Sequence, residues 1–432
     1  MRYRAVVAAL LAIVVSAVVG GVYGKGAQAT ANTVPEHYRT FTAALSAIQA
    51  QYAQPVESDR MVYGAINGML QTLDPHSSFM DPRSYAQMRE RQEGRYYGLG
   101  LTIQSVDGDI TAVRVFEGSP AFKNGIRRGD VIADVEGTNT KGWTTEATVN
   151  KLKGPKGTFV KIGVRRKGFE RLLEMNVMRD QVSIPSLSAS FMIDATTGYV
   201  GITDFAEHTD EDLGLALEAL TKRGMKRLVL DLRSNPGGQL DQAIRITNRF
   251  VPKGSMVVYT RGRVANSDSD YRATDTPEYT TIPMITMVNR NSASASEIVA
   301  AALQDHHRAA VVGERSFGKG SVQKVFPLPH SRAAVKLTTE AWLTPAGKNI
   351  HRWPDSKDAD EWGVKPDPGN EVPLTDKQRA AYYLHLRDLD LVKGKPGAGG
   401  GAEAAKTFDD PVIAKALELL RARLKTLPPK GA

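Results

Sequence analysis

Three short segments hold the residue types that could do covalent chemistry. The first is Ser-Ala-Ser-Ala-Ser-Glu, Ser292 to Glu297, between an apolar run, Met284 to Val288, and an Ala-rich run, Ile298 to Leu303. This pattern reads as strand, turn and helix, with small side chains presenting a hydroxyl at a helix N-terminus. Free backbone N–H groups and the positive dipole end there favour developing negative charge. Ser294 is the middle candidate; Ser292 and Ser296 are rivals. The stretch Ser294 to Glu297 is also a capping box, whose hydroxyl and carboxylate would only close the start of the helix. The local pattern leaves both readings open.

The second segment is Phe317-Gly-Lys-Gly-Ser-Val-Gln323. A lysine beside a serine suggests a hydrolase with an amine as its base. That base must be neutral. Bringing a lysine from about 10.4 to about 7–8 takes roughly 4 kcal/mol of desolvation and dipole effects. Gly318 and Gly320 permit close packing around Lys319. Gln323, four residues on, could hydrogen-bond and orient the amine. Gly313 to Lys319 also matches the first seven positions of a phosphate-binding loop, but the eighth is Gly320, not the Ser or Thr that ligates magnesium. Ser321 to Leu328 then reads as a strand and a Pro-limited turn, where a phosphate loop needs a helix. An ordinary solvated lysine is the remaining alternative.

The third segment, Asn235-Pro-Gly-Gly238, follows an apolar strand ending at Leu232. The N–H of Gly237 or Gly238, with that of Ala295, could form an oxyanion hole; a plain Pro-Gly turn is the other reading. Asp305, His306 and His307 invite a triad with Ser294. A helix from Ala295 to Asp305 would hold them about 16 Å away, so they read as its C-terminal cap. The remaining histidines show no metal-ligand spacing.

These segments need elements to carry them. Phe41, Leu45, Ile48 and Tyr52, then Met61, Ile66, Met69 and Leu73, repeat at helical spacing, and Asp74-Pro-His-Ser-Ser78 breaks the pattern. From Tyr97 to about Met178 short strands and turns predict a β-rich module with two short helices. From Tyr199 strands and helices alternate, and Leu228 to Leu230 and Met284 to Val288 are continuous apolar runs, as in buried parallel strands. Residues 393–405 read as a flexible linker. After Asp410-Pro411, Ile413, Leu417, Leu420 and Leu424 form one face of a helix that must dock on its own body or on a partner.

The chain has 432 residues, 41% hydrophobic and 24% charged, which predicts several folded units and excludes a disordered chain. The formal charge of +9 includes Arg2, Arg4 and Lys25 near the N-terminus, and no basic run interleaves with aromatics, so nucleic-acid binding is unsupported. With no cysteine there is no disulfide, thiolate zinc site or cysteine nucleophile. A basic start, the uncharged stretch Ala5 to Val22 and the small residues Ala27-Gln-Ala29 predict a cleaved signal peptide or a membrane anchor. Either would put the bulk of the chain outside the cytoplasm, in a periplasm or its equivalent.

Together the motifs resemble the carboxyl-terminal processing peptidases, extracytoplasmic serine endopeptidases of the tail-specific type that carry a PDZ domain. The resemblance runs from about Tyr38 to Asp367, with the motifs in the family's order. Leu73 to Phe79 is similar to an N-terminal signature, and Gly98-Leu99-Gly100-Leu101 to a PDZ carboxylate-binding loop. Asp231 to Gly238, Ser292 to Glu297 and Phe317 to Gln323 are similar to the protease core. The resemblance implies Ser294 as nucleophile, Lys319 as general base and Gln323 as the residue orienting it, with no metal or cofactor. It implies a multidomain α+β fold. The expected parts are a signal or anchor (1–31), a helical region (32–94), a PDZ domain (95–180), an α/β protease core resembling the ClpP/crotonase type (181–372), and a linker with C-terminal helices for dimerisation (373–432). Expected partners are proteins with a free, apolar C-terminal tail, a second copy of the chain, and an adaptor or activating protein. One departure is a lengthened closing stretch, His351 to Trp362, expected to alter only a surface loop. The competing classes are a catalytically silent PDZ scaffold or chaperone and, more weakly, a nucleotide-dependent enzyme.

Overall fold

A computed structural model describes residues 35–275, 277–329, 331–392 and 409–426. The apolar N-terminal stretch and the 393–405 linker lie outside the described residues. The chain divides into two compact units that part between Phe79 and Met80.

In the first unit, helix α1 (35–51) precedes α2 (Ser58–Gln71). The break after α2 has a local cause. Asp74 Oδ1 accepts from the amides of His76 and Ser77, and Oδ2 accepts from the Ser77 hydroxyl, a turn that competes with helix. Asn67 Oδ1 accepts from the Phe79 amide at 3.1 Å, and the Phe79 ring lies 4.7 Å from that of Tyr63. Strand β1 (Ser78–Met80) ends this segment.

The second unit opens with α3 (Pro82–Glu93), capped by Asp81 and begun by proline. Strand β2 (Arg95–Gly98) pairs with β9 (Asp180–Ser183). Between them lies a sheet in the order β3 (Leu101–Val106), β4 (Asp109–Val115), β5 (Val131–Val135), β7 (Phe159–Arg165) and β8 (Leu173–Met178), with β6 (Thr138–Asn139) on β5. Helices α4 (Pro120–Lys123) and α5 (Thr145–Leu152) pack with it around Ile103, Ile110, Ile132, Val160 and Ile162. The sequence pattern predicts one strand over Leu99 to Ile103. Instead the chain turns at Leu99-Gly100, and β3 starts at Leu101.

The α/β core is a sheet in the order β10 (Leu187–Met192), β11 (Thr197–Ile202), β12 (Arg227–Asp231), β15 (Met284–Val288) and β16 (Ala310–Gly313). All its pairs are parallel except β10–β11. The apolar runs have no polar face because both faces are covered. Val200, Leu228, Leu230, Met284 and Val311 join one core with α6 (Thr209–Lys222), α7 (Leu240–Asn248) and α8 (Ala295–Asp305). The alternate residues Tyr199, Val229, Ile285, Met287 and Val312 pack instead against the last helix, α10 (Pro411–Thr426).

Helix α10 thus docks on its own body. Its buried ridge is Val412, Ala416 and Leu420, rotated from the predicted face: Leu417 is only half-buried, and the Leu424 side chain lies outside the described residues. Burying the Val and Leu side chains stabilises this docking by roughly 1.5–3 kcal/mol each.

A second sheet, unforeseen in the sequence, sets β17 (Ser321–Pro327), β18 (Ala334–Leu343), β13 (Met256–Gly262) and β14 (Ser269–Arg272) side by side. The run Ala333 to Leu337, which the sequence pattern assigns to the α/β core, belongs to this second sheet instead. The strand predicted after Lys319 is β17, so the helix a phosphate loop requires is absent at that point. Helix α9 (Asp376–Val392) precedes α10.

Candidate active site

The three segments meet at the carboxyl ends of β12, β15 and β16, where an open α/β sheet offers a crevice. The loop after β12 is stitched to the turn after β15. The Asn235 carbonyl accepts from the Ala293 amide and from Ser296 Oγ, each at 3.0 Å. Asn289 Oδ1 accepts from the Ser234 amide at 2.8 Å, and Asn289 Nδ2 donates to Ser234 Oγ at 3.0 Å. A Cβ on Gly237 would lie 2.8 Å from Ser294 Cβ and 2.7 Å from the Ala293 carbonyl oxygen, so only glycine lets the loop come this close.

The three serines have different environments. Ser292 Oγ is buried, donates to the Leu232 carbonyl at 2.8 Å and accepts from the Asn289 amide at 2.9 Å. Ser296 Oγ is equally buried and held by Asn235. Ser294 is half-exposed at the head of α8, with φ 55° and ψ −114°, a strained conformation for a non-glycine residue. It borders a cavity of about 440 Å³ with Leu240, Ile244, Tyr271, Ile298 and Trp342.

Gly237 donates its amide to Asn235 Oδ1 at 2.9 Å. The Gly238 and Ala295 amides have no acceptor among the described residues, and both residues line the same cavity. Of the expected oxyanion donors, Gly237 is therefore occupied, while Gly238 and Ala295 are free.

Glu297 does more than cap α8. Its carboxylate is fully buried; Oε2 accepts from the amides of Ser294 and Lys319, each at 2.8 Å. Oε1 accepts from the Gly318 amide at 2.6 Å and from Ser316 Oγ at 2.5 Å. Burial pushes this carboxyl above its ordinary range, and the four donors oppose that rise. The sequence signals only the contact within the capping box; the partners at 316–319 have no local signature.

Lys319 is half-buried. Burial and, to a lesser extent, the nearby Lys336 charge lower its amine to about 8, against the opposing charge of Glu297. Its carbonyl accepts from the Trp342 indole at 2.8 Å. Nζ makes no hydrogen bond or ion pair with the described residues, Ser294 included. The expected link from Gln323 to Lys319 is not formed either. The Gln323 amide nitrogen donates to Ser321 Oγ at 2.9 Å and to Thr338 Oγ1 at 3.2 Å, although Gln323 does line the Ser294 cavity. The triad alternative fails on contacts. His306 bonds the Met256 carbonyl at 2.6 Å, and Asp305 Oδ2 accepts from the Ala346 amide at 2.9 Å.

Sequence reasoning missed a buried charge cluster below the Asn235 loop. The Arg233 guanidinium pairs with Asp231 at 2.7 Å and with Asp410 of α10 at 2.8 Å, and it lies 4.5 Å over the Tyr382 ring. Tyr199 donates to Asp231 at 2.7 Å. In the β-rich module, Leu99, Gly100, Leu101, Ile103, Phe116 and Leu152 line a separate cavity of about 330 Å³. Gly98 is not among its lining residues, whereas Tyr96 is; a Cβ on Gly98 would lie 2.8 Å from the Tyr96 ring, and Lys153 Nζ lies 4.8 Å from that ring's centre.

An α/β core joined to a β-rich peptide-binding module, with a strained serine at a helix N-terminus and a depressed lysine behind a shared carboxylate, defines a serine hydrolase of the PDZ-containing type. Family models match on the same lines: "Peptidase family S41" over residues 196–368, "PDZ domain" over 87–165 and "Activating protease CtpB N-terminal domain" over 20–84. The carboxy-terminal-processing protease of Bartonella bacilliformis is 35% identical over 87% of this chain and 86% of its own length. Carboxy-terminal processing protease CtpA of Bacillus subtilis is 34% identical over 80% of this chain and 72% of its own. A solved photosystem II D1 C-terminal processing protease is 29% identical over 76% of this chain and 86% of its own, with a TM-score of 0.42. The chain belongs to the carboxyl-terminal processing peptidases, and it is a serine endopeptidase.

Proposed function

We propose that this protein is an extracytoplasmic endopeptidase that captures the C-terminal tail of a protein substrate on its PDZ domain and cleaves it with a Ser294–Lys319 dyad. The tail would add a strand beside β3, its carboxylate on amides of the Gly98–Leu101 loop and its last apolar side chain in the cavity lined by Leu99 and Leu101. Neutral Lys319 takes the Ser294 proton as Oγ attacks the peptide carbonyl. The oxyanion forms between the amides of Ala295 and Gly238. The protonated lysine then gives its proton to the leaving amine, and water resolves the acyl-enzyme through the same base.

One observation carries this reading: the backbones of Ser294 and Lys319 hang on the same Glu297 oxygen while burial lowers the lysine amine to about 8. The missing contact between Nζ and Oγ fits a resting state in which substrate completes the site. Ser294→Ala and Lys319→Ala are each expected to abolish cleavage of an apolar-tailed peptide while preserving its binding. Undiminished turnover in either variant rejects the dyad; binding without turnover in the unmodified protein under all conditions favours the scaffold reading.

The proposal includes a homodimer. Tyr38, Phe41 and Ile48 on α1 and Tyr52 just after it are exposed, and an amphipathic helix with its apolar side in water lacks the packing that stabilises it. Light-scattering mass in solution tests this. The exported location rests on the apolar N-terminal stretch, and fractionation of cells expressing the full chain tests it.

A further inference from the structure

Residues 351–362 form a closed loop whose ends meet, the Gly363 amide donating to the Ile350 carbonyl at 2.8 Å. Inside it, the Trp353 amide donates to Ser356 Oγ at 2.8 Å, the Lys357 amide to Asp360 Oδ2 at 2.7 Å, and the Trp362 indole to the Lys357 carbonyl at 2.9 Å. Arg315 fills its centre: the guanidinium stacks 3.6 Å from the Trp362 ring centre and donates to the carbonyls of Trp362, Asp358 and Asp360. The loop is therefore a self-packed unit, not a loose excursion.

Its contacts fall on the two glycines that flank Lys319. The Arg352 amide donates to the Gly318 carbonyl at 2.8 Å. A Cβ on Gly318 would lie 2.8 Å from Arg352 Cβ and 3.2 Å from the Trp362 ring. A Cβ on Gly320 would lie 2.5 Å from Asn349 Oδ1 and 2.7 Å from the His351 nitrogen. Glu297 holds the amides of Gly318 and Lys319, and Trp342 holds the Lys319 carbonyl. The Gly318 carbonyl is the remaining main-chain polar group of Gly318 and Lys319, and the loop holds it. The lengthened stretch thus does more than the surface change expected from sequence.

We propose that the 351–362 loop positions the general base: Trp362 and Arg352 fix the Gly318 backbone and so set the direction from which the Lys319 amine approaches Ser294. The inference rests on the reading of Lys319 as that base. The amine is five bonds from its Cα, so a small backbone rotation is amplified at Nζ, and a displacement of about 1 Å at a reacting group costs on the order of 100-fold in rate. Trp362 and Arg352 act through Lys319 and touch no substrate.

The test uses the full chain with Trp362→Ala, Trp362→Phe, and a variant in which a single glycine bridges Ile350 and Gly363. The bridge is sterically allowed because those two residues are already hydrogen-bonded. Peptide cleavage is followed from pH 6 to 10, with tail-peptide binding and thermal melting as measures of folding. Trp362→Ala and the bridged variant are expected to lose roughly 10- to 100-fold in kcat with little change in KM. Their rising, acid-side limb should move to higher pH as the amine gains solvent, and Trp362→Phe should recover most of the rate. Wild-type kcat and limb in a folded Trp362→Ala or bridged variant overturn the proposal, as does a loss that leaves the limb unmoved and is equal in the Phe variant. Lys319→Ala separates the two readings. If it keeps activity, the base assignment fails. If it is inactive while the loop variants are normal, only the positioning role fails.

Discussion

The main-chain nitrogens of Ser294 and Lys319 donate to a single atom, Oε2 of Glu297, each at 2.8 Å. The two nitrogens are therefore no more than twice that distance apart, although 25 residues separate them in the chain. The other oxygen accepts from Gly318 and Ser316, so the carboxylate closes the Ser294 turn against the Lys319 loop.

Glu297→Gln tests this closure with a change of few atoms. An amide offers one acceptor oxygen and turns an NH₂ toward a pair of donors. A buried donor left without a partner costs about 1–3 kcal/mol. The variant is expected to lose roughly 2–4 kcal/mol in denaturant unfolding and at least about 100-fold in kcat, while tail-peptide affinity at the PDZ domain is retained. Full activity would show that this carboxylate does not hold the site together.

The lysine predicts a pH profile. Its amine is lowered to about 8, and the proposed dyad needs the neutral form, so log kcat/KM should rise with a slope of one up to about pH 8 and then level off. Lys336 contributes to the lowering as a like charge. Lys336→Gln should therefore move the limb to higher pH, and a limb that shifts to lower pH or stays fixed contradicts this electrostatic account.

The same lowering has a cost in stability. A lysine whose folded value lies below its ordinary 10.5 disfavours folding at any pH where the unfolded chain holds the proton more tightly. The penalty is full below about pH 8 and fades as pH rises toward 10.5. Lys319→Met should thus stabilise the protein at pH 7 by up to about 3 kcal/mol, with a smaller gain at pH 10, while abolishing cleavage. Urea unfolding at the two pH values reads the difference; a variant less stable at pH 7 than the parent opposes it.

The parts of this architecture that sequence reveals are those with a local cause. The strands at Leu228 and Met284 are continuous apolar runs because helices cover both faces of the sheet. The helix after Ser294 is announced by its cap, and the strand after Lys319 by its alternation and proline. The Gly-Lys-Gly spacing correctly calls for close packing around the lysine, but nothing in it says that Arg352 and Trp362 are what packs there. Glu297 satisfies a local rule so completely that its bonds to residues 316–319 leave no trace. Gln323 has the right spacing to reach the lysine, yet β17 turns its amide to Ser321 and Thr338. Such contacts between distant polar side chains have no periodicity to betray them.

The clearest case is Arg233, buried and paired with Asp231 at the end of β12 and with Asp410 at the start of α10. It anchors the base of the segment leading to Gly238, so α10 ties the C-terminal part of the chain to the free amide proposed for the oxyanion. Without Asp410 the guanidinium keeps Asp231 but loses a charge-assisted hydrogen bond, which costs about 1.5–3 kcal/mol. Asp410→Ala is expected to destabilise by that amount, to increase hydrogen exchange in both α10 and residues 233–238, and to lower kcat more than tail-peptide binding. Combining Asp410→Ala with Arg233→Met should cost less than the sum of the two single losses, since Arg233→Met alone leaves both buried carboxylates without their cation. The two single losses would simply add if Asp410 and Arg233 acted independently, and exchange confined to α10 would separate that helix from the 233–238 loop.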